Sequence, residues 1–317
     1  MLIYELGKFI LNSIWTNQRD LRPILVTGSH RSGTTWVGKM INLSCLTYYT
    51  GEIFQPSENL LPAELLPHQF LYISPEIAKP YIEPLKQIFD LNFSWPNRRG
   101  LHRMLPSRLA LLKHSRRWFG IPRPIMKDPM AIFSVEWLAE TFDMDVVCLI
   151  RHPAAFVSSL VDAKWDFKFD IFLNQPRLVN EWLRPYTNQM THPPNNFVER
   201  SALLWCIIYH VLVAYNKRHP EWEFWRLEDI SQAPLAAFEQ IFSRLDLPYS
   251  KRIQRKIWEY SHAKSTEEGR SYQQHAIKRN SRKAQTRWRQ RLTSREIRAI
   301  RRITEPLAHQ YYSDRDW

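Results

Sequence analysis

Residues 23–36, PILVTGSHRSGTTW, contain the pattern that decides the fold of this chain of 317 residues. The continuous apolar run at the start predicts a buried strand over residues 24–27, and a helical spacing of apolar side chains follows from Thr34 to Leu43. Gly28 and Gly33 enclose the four residues between strand and helix. This is the spacing of a phosphate-binding loop, in which backbone N–H groups and the N-terminus of the helix face an anion. A glycine turn without a ligand is the alternative interpretation.

Further strand–helix units follow along the chain. The predicted strands cover residues 124–127, 145–150 and 223–227. Because a helical pattern follows each of them, we expect an α/β fold with three layers, α/β/α, around a central, mainly parallel sheet. Two insertions rich in aromatic residues and proline, 62–117 and 167–218, predict helices that form a pocket above the sheet, with a buried helix over residues 198–215.

A single domain is expected over residues 1–317, because 44% of the residues are hydrophobic and a chain of this length can bury a large core. Residues 1–20 predict a helix that docks on this domain, with peripheral membrane contact as the alternative. Cys45, Cys148 and Cys206 lie in apolar stretches, as buried thiols in a reducing compartment do.

The positive charge is concentrated in one part of the chain. Between Lys251 and Arg302 there are 17 lysines and arginines against four acidic residues, so this segment accounts for the whole net charge of +13. Residues 264–286 within it are polar and basic and predict a loop or lid. A solvated basic face or a nucleic-acid-binding surface would each account for such a run.

The loop lacks the lysine that nucleoside triphosphatases place after the second glycine. Thr34 and Thr35 follow that glycine instead, and Arg31 supplies a cation inside the loop. The third predicted strand ends in Arg151 where a Walker B strand ends in Asp to hold magnesium, and Ser159 follows eight residues later. Two anion sites without a metal-binding acid predict a nucleotide phosphorylated at two separate places. A helix-capping or surface charge is the alternative for Arg151, and a P-loop kinase using ATP and Mg²⁺ is the alternative for the chain.

The loop and the arginine motif together resemble those of the P-loop sulfotransferases that use 3′-phosphoadenosine 5′-phosphosulfate (PAPS). TGSHRSGTTW resembles their 5′-phosphosulfate loop, and RHPAAFVSS, residues 151–159, resembles their 3′-phosphate motif. The resemblance implies that the 5′-phosphosulfate is bound by Arg31, Ser32, Gly33, Thr34 and Thr35. It also implies that Trp36 lies by the adenine and that Arg151 and Ser159 hold the 3′-phosphate.

Two weaker matches lie later in the chain. RLEDI, residues 226–230, resembles the RYEDL of the family, and SRKAQTRWRQRLT, residues 281–293, resembles its basic loop without that loop's glycines. On this basis Arg282, Lys283 and Trp288 are expected to belong to a segment that closes over the nucleotide.

Sulfuryl transfer requires a base for the acceptor's proton and positive charge around the transferred group. Arg31 and Lys127, at the end of the second predicted strand, are expected to supply the charge. The small-molecule branch of the family has a histidine base two residues after this lysine, but the chain reads KDP here. Glu52, in YTGEIF, resembles the glutamate of the saccharide and protein-tyrosine branches and is the expected base. A surface carboxylate is the alternative for Glu52, and His114 and Asp128 are the other candidate bases.

The resemblance implies an enzyme that moves a sulfonate group from PAPS to an acceptor hydroxyl or amine without a metal. The expected acceptor is a small molecule, natural product or saccharide, because the aromatic insertions suit a pocket with apolar walls. Specific nucleic-acid binding is not expected, since it leaves the loop and Arg151 unused. The chain resembles the soluble bacterial members of the family, and a cytoplasmic location is expected.

Overall fold

The computed structural model describes residues 22–90, 122–165, 167–262 and 285–317. Five parallel strands form one sheet in the order β2-β3-β1-β4-β5. The strands are β1 (Ile24–Gly28), β2 (Thr47–Gly51), β3 (Arg123–Lys127), β4 (Asp145–Ile150) and β5 (Glu223–Arg226). All carboxyl ends therefore lie at one edge of the sheet, which is where open α/β sheets bind their ligands.

Four of these strands confirm the sequence-based prediction, and β2 was missed. Its sequence, TYYTG, has no apolar run, and only its first two residues are buried. Its register on β3 shifts between Tyr49 and Gly51, as is common at a sheet edge. Glu52, which the sequence pattern places in a loop, comes directly after this strand. Because Glu52 follows an edge strand directly, its backbone is held at the carboxyl edge of the sheet.

Alternate residues of the sheet belong to two separate hydrophobic cores. One core contains Leu25, Met126, Val146, Cys148 and Ile150, and the other contains Ile24, Val26, Ile125, Val147 and Leu149. Since successive side chains of a strand point to opposite faces, both faces of the sheet are covered. The three-layer α/β/α arrangement is confirmed.

The helices divide between these two faces. In chain order they are α1 (Thr34–Ile41), α2 (Lys79–Phe89), α3 (Val135–Phe142), α4 (Pro153–Ala163), α5 (Phe197–Arg218), α6 (Leu227–Gln232), α7 (Pro234–Arg244), α8 (Lys251–Ser261) and α9 (Ser294–Ala308). Helices α1, α6, α7 and α8 pack on one face, and the others on the opposite face. Short helical turns lie at Pro56–Glu58, Ala63–Leu65, Ile132–Ser134, Asp170–Leu173, Pro176–Leu178, Val179–Leu183, Arg184–Tyr186, Thr187–Thr191, Trp288–Arg291 and Asp314–Asp316.

Helix α5 is the buried helix predicted at residues 198–215. It is long and apolar enough to span a membrane, but 72% of its most apolar window is buried inside the protein, where it packs against α4 and α9. A helix that is apolar all round is the expected form for the centre of a core. The prediction that this helix belongs to an insertion is wrong, because α5 belongs to the layer that covers the sheet.

The cysteine prediction holds for two of the three residues. Cys148 and Cys206 are buried, whereas Cys45, in the connection between α1 and β2, is exposed. The prediction that all three thiols are buried was therefore wrong for Cys45. The predicted helix at residues 1–20 and nearly all of the lid at residues 264–286 lie outside the described residues.

Candidate functional site

The carboxyl edge of the sheet brings together residues that are far apart in sequence. The loop of residues 28–33 follows β1, Glu52 follows β2, Lys127 ends β3 and Arg151 follows β4. Since β1, β3 and β4 are adjacent strands and β2 lies beside β3, these groups follow one another along a single edge. The site therefore has cations from three strands and a carboxylate from a fourth.

The two glycines of the loop are required by its geometry. Gly28 has φ 138°, and a Cβ on it would lie 2.3 Å from the carbonyl oxygen of Leu149 on β4. Gly33 has φ 87°, and its Cβ would lie 2.6 Å from a methyl group of Leu227 on α6. Arg31, between them, has φ 68°, which is uncommon for a residue with a side chain and is found at strained functional loops. The chain is thus folded tightly against β4 and α6.

The N-terminus of α1 fits an anion. Its N-cap is Gly33, no side chain caps its first N–H groups, and its first turn contains no acidic residue. Thr34 is buried and Thr35 is partly exposed, so the helix begins with two hydroxyls. Free N–H groups, the positive end of the helix dipole and hydroxyl donors are the chemistry that binds phosphate or phosphosulfate. Anion binding at this helix stays a prediction.

The second predicted anion site is joined to the first by hydrogen bonds. The Nε of Arg31 donates to the Oγ of Ser159 at 2.9 Å, and the Nη1 of Arg151 donates to the carbonyl oxygen of Arg31. The structure therefore brings Arg31, Arg151 and Ser159 together, although they come from the loop, the end of β4 and the middle of α4. Each side chain supports the position of another.

Sequence reasoning missed the residues that hold the backbone of Arg151. Its N–H donates to the hydroxyl of Tyr209 at 2.6 Å, and its carbonyl oxygen accepts from the Nε1 of Trp205 at 3.0 Å. The two rings are stacked, with centroids 3.9 Å apart, and Tyr209 also lies 3.3 Å from the Oγ of Ser29 in the loop. Both come from α5, whose apolar sequence predicts burial but gives no signal for these polar contacts.

Glu52 and Lys127 form an ion pair between Oε1 and Nζ. The side chain of Lys127 is 4% exposed and that of Glu52 is 24% exposed, so the lysine lies beneath the carboxylate. Burial lowers the pKa of Lys127 to about 8, and the nearby Asp128 carboxylate acts in the opposite direction. The predicted base and the predicted cation are thus neighbours, joined by this ion pair.

Asp128, an alternative base, has a structural role in this arrangement. Its Oδ2 accepts from the N–H of Phe54 at 2.6 Å and its Oδ1 from the N–H of Met130 at 2.9 Å. The side chain is buried, and burial raises its pKa to about 6. Oδ2 therefore fixes the segment that carries Glu52, whereas Oδ1 fixes the turn that follows Asp128 itself. His114, the other alternative, lies outside the described residues.

His30 is buried within the loop among three aromatic rings. Its ring centroid lies 5.5 Å from that of Phe70, 5.0 Å from Phe156 and 4.8 Å from Trp165. Burial, helped by the charge of Arg31, lowers the pKa of His30 to about 3, so the ring is neutral at physiological pH. The aromatic packing anchors the outer side of the loop to α4.

The remaining predicted nucleotide contacts are placed as follows. Ser32 is buried, and its Oγ donates to the carbonyl oxygen of Ser29 at 2.5 Å. Trp36 is buried against Phe238 of α7, and its contact with adenine stays a prediction. Trp288 is buried and stacks on His152, next to Arg151. Arg282 and Lys283 lie outside the described residues.

Comparison with known proteins agrees with the family indicated by the motifs. A family model described as "Sulfotransferase family" matches residues 23–251, which is well over half of the chain. A search of curated proteins gives no match.

Similar solved structures are also sulfotransferases. The sulfotransferase domain of the curacin biosynthetic pathway has a TM-score of 0.46 at 14% identity, with 91% of this chain and 98% of that one covered. Mouse sulfotransferase SULT7A1, complexed with PAP, has a TM-score of 0.46 at 14% identity, with 96% and 90% covered. Sulfotransferase STF9 from Mycobacterium avium has a TM-score of 0.43 at 12% identity, with 97% and 81% covered. On the extent of the family-model match, the chain belongs to the sulfotransferase family.

Proposed function

We propose that the protein transfers the sulfonate group of PAPS to a hydroxyl or amine of an acceptor. The observation that supports this most is the junction between the loop and the arginine motif, in which Arg31 bonds Ser159 and Arg151 bonds the backbone of Arg31. A donor with phosphates at its 5′ and 3′ positions needs two anion sites on one nucleoside, and this junction holds two cationic groups side by side. The residues present fit that donor.

Each end of the donor has its own set of residues in this proposal. The N-terminus of α1, with Ser32, Gly33, Thr34 and Thr35, holds the 5′-phosphosulfate, and Trp36 borders the adenine. Arg151 and Ser159 hold the 3′-phosphate. Arg282 and Lys283 are proposed as nucleotide contacts on the family resemblance alone, since they lie outside the described residues. When bound, PAPS supplies an activated sulfonate on its 5′-phosphate.

Glu52 is the proposed general base. It would accept the proton of the acceptor group as the acceptor's oxygen or nitrogen bonds to sulfur, in line with the bond from sulfur to the 5′-phosphate oxygen, which would break and release adenosine 3′,5′-bisphosphate. Arg31 and Lys127 offer positive charge to the transferred group and to the departing phosphate, because negative charge develops there in the transition state. The buried position of Lys127 strengthens this effect, since electrostatic interactions are larger where water is excluded. No metal is required in this scheme.

The acceptor is proposed to be a small molecule, natural product or saccharide, held by the aromatic segments at residues 62–90 and 167–191. A single domain and a cytoplasmic location belong to the same proposal and rest on the sequence features given above. Specific nucleic-acid binding is not part of it.

The direct test is a transfer assay with PAPS labelled in its sulfonate group, in EDTA, against a panel of phenols, alkyl alcohols, amino sugars and oligosaccharides. We expect labelled product with at least one acceptor class. Transfer of label from γ-labelled ATP with Mg²⁺, and none from PAPS, would contradict the proposal and favour a kinase.

A further inference from the structure

The segment Tyr311–Trp317, called here the 311–317 clasp, lies against the arginine motif that follows β4. His152, the residue after Arg151, is surrounded by three aromatic rings. Trp288 stacks on it with centroids 5.0 Å apart and planes at 9°, while Tyr312 and Trp317 meet it edge-on at 4.8 and 4.5 Å. Two of the three rings therefore come from the clasp.

A half-buried glutamate, Glu228, connects the clasp to the backbone of the motif. The Oε1 of Glu228 accepts from the N–H of His152 at 3.1 Å, and its Oε2 accepts from the hydroxyl of Tyr312 at 3.0 Å. Burial raises the pKa of Glu228, so the carboxylate depends on these hydrogen bonds. Because the N–H of His152 adjoins the carbonyl group of Arg151, this bridge fixes the peptide plane that follows the arginine.

Arginines hold the clasp in place from the outside. Arg226 donates from Nη1 to the carbonyl oxygen of Tyr311 at 2.8 Å and from Nη2 to the Oδ1 of Asp316 at 2.9 Å. Arg289 donates to the carbonyl oxygen of Asp316 at 3.0 Å. The segment is therefore tied to the end of β5 and to the helical turn at Trp288–Arg291.

We infer that the 311–317 clasp positions Arg151 for the 3′-phosphate of the nucleotide. Tyr209 and Trp205 hold the N–H and carbonyl groups of Arg151 from α5, and the clasp holds the following residue from the other side. Arg151 in turn reaches the backbone of Arg31. Tyr312 and Trp317 are thus positioning residues for the 3′-phosphate site, and they act through His152 and Glu228. The inference rests on the proposed function.

The test compares adenosine 3′,5′-bisphosphate with adenosine 5′-monophosphate, which lacks the 3′-phosphate, by calorimetric titration in EDTA. The variants are Trp317→Ala, which removes a ring from His152, and Tyr312→Phe, which removes only the hydroxyl that bonds Glu228. Trp258→Ala is the matched control, because Trp258 is 53% exposed on α8, away from the clasp.

We expect the wild type to prefer the bisphosphate, and the preference to fall roughly tenfold in Trp317→Ala and several-fold in Tyr312→Phe, since a displaced arginine loses a charge-assisted hydrogen bond. Affinity for the monophosphate is expected to stay within about twofold in both variants, and Trp258→Ala to match the wild type. A purely structural role would weaken both nucleotides equally.

The outcomes distinguish failure of the proposed function from failure of the positioning role of the clasp. A wild type without preference for the bisphosphate would contradict the proposed function itself. A wild-type preference that survives in both variants would overturn the positioning role while leaving the proposed function in place. If Trp317→Ala does not fold, the ratio of the affinities of Tyr312→Phe for the bisphosphate and the monophosphate decides whether the clasp has the positioning role.

Discussion

Asp128→Ala tests whether the buried carboxylate at the end of β3 is a scaffold or a base. The substitution removes the acceptor of two buried backbone N–H groups, those of Phe54 and Met130. Each unsatisfied group costs about 1–3 kcal/mol, so the free energy of unfolding should fall by about 2–6 kcal/mol. With an unfolding entropy of about 2.1 cal/mol/K per residue, this corresponds to a Tm lowered by roughly 3–9 °C for a chain of 317 residues.

The assay is urea denaturation followed by tryptophan fluorescence, with Tm from calorimetry. Asp143→Asn is the control, because the side chain of Asp143 is 80% exposed and its left-handed φ of 47° suits asparagine. We expect its free energy of unfolding to change by no more than about 0.5 kcal/mol. Turnover of Asp128→Ala should fall as well, since the segment that carries Glu52 loses its anchor. Stability unchanged within about 1 kcal/mol, together with abolished turnover, would refute the scaffold assignment and make Asp128 the base.

Three further predictions concern the base, the loop histidine and the loop glycine. Glu52→Gln should lower kcat by at least about 100-fold while affinity for adenosine 3′,5′-bisphosphate stays the same; unchanged turnover would exclude Glu52 as the base. The folded-state pKa of His30 is about 3, below the ordinary 6.5, so its contribution to stability is complete above pH 6.5 and is lost towards pH 3. The free energy of unfolding of His30→Phe relative to wild type should therefore rise by about 1.4 kcal/mol for each pH unit from pH 6 down to pH 4 in urea denaturation, and a pH-independent difference would contradict a neutral buried ring. Gly28→Ala, whose Cβ would press on Leu149, should cost more than about 3 kcal/mol, and a variant as stable as wild type would show that the loop tolerates another conformation.

The layout of the sheet could be predicted because four of its strands have continuous apolar runs or end in a glycine or a basic residue. Gly28, Lys127 and Arg151 each follow such a run, and a parallel sheet places them at one edge. The strand β2 could not be predicted in the same way, because TYYTG lies at the sheet edge and needs burial only at its start. For the same reason, no pattern in the sequence indicates that Glu52 is held against Lys127.

The residues that hold the backbone of Arg151 and the ring of His152 could not be predicted from sequence patterns. Tyr209 and Trp205 look like ordinary core residues in an apolar helix, and their polar atoms find Arg151 only after α5 packs on the sheet. The contacts of Tyr312 and Trp317 with His152 join residues about 160 positions apart. Such contacts depend on tertiary packing, which neither periodicity nor motif spacing reports.

In the proposed function, one site binds a nucleotide through its 5′-group and its 3′-phosphate without a metal. Calorimetric titration in EDTA compares the affinities of the wild type and of Arg151→Met for adenosine 3′,5′-bisphosphate and for adenosine 5′-monophosphate. We expect the wild type to bind the bisphosphate at least about tenfold more tightly than the monophosphate, and Arg151→Met to lose this preference. Binding of ATP that requires Mg²⁺, with no preference for the bisphosphate, would contradict it.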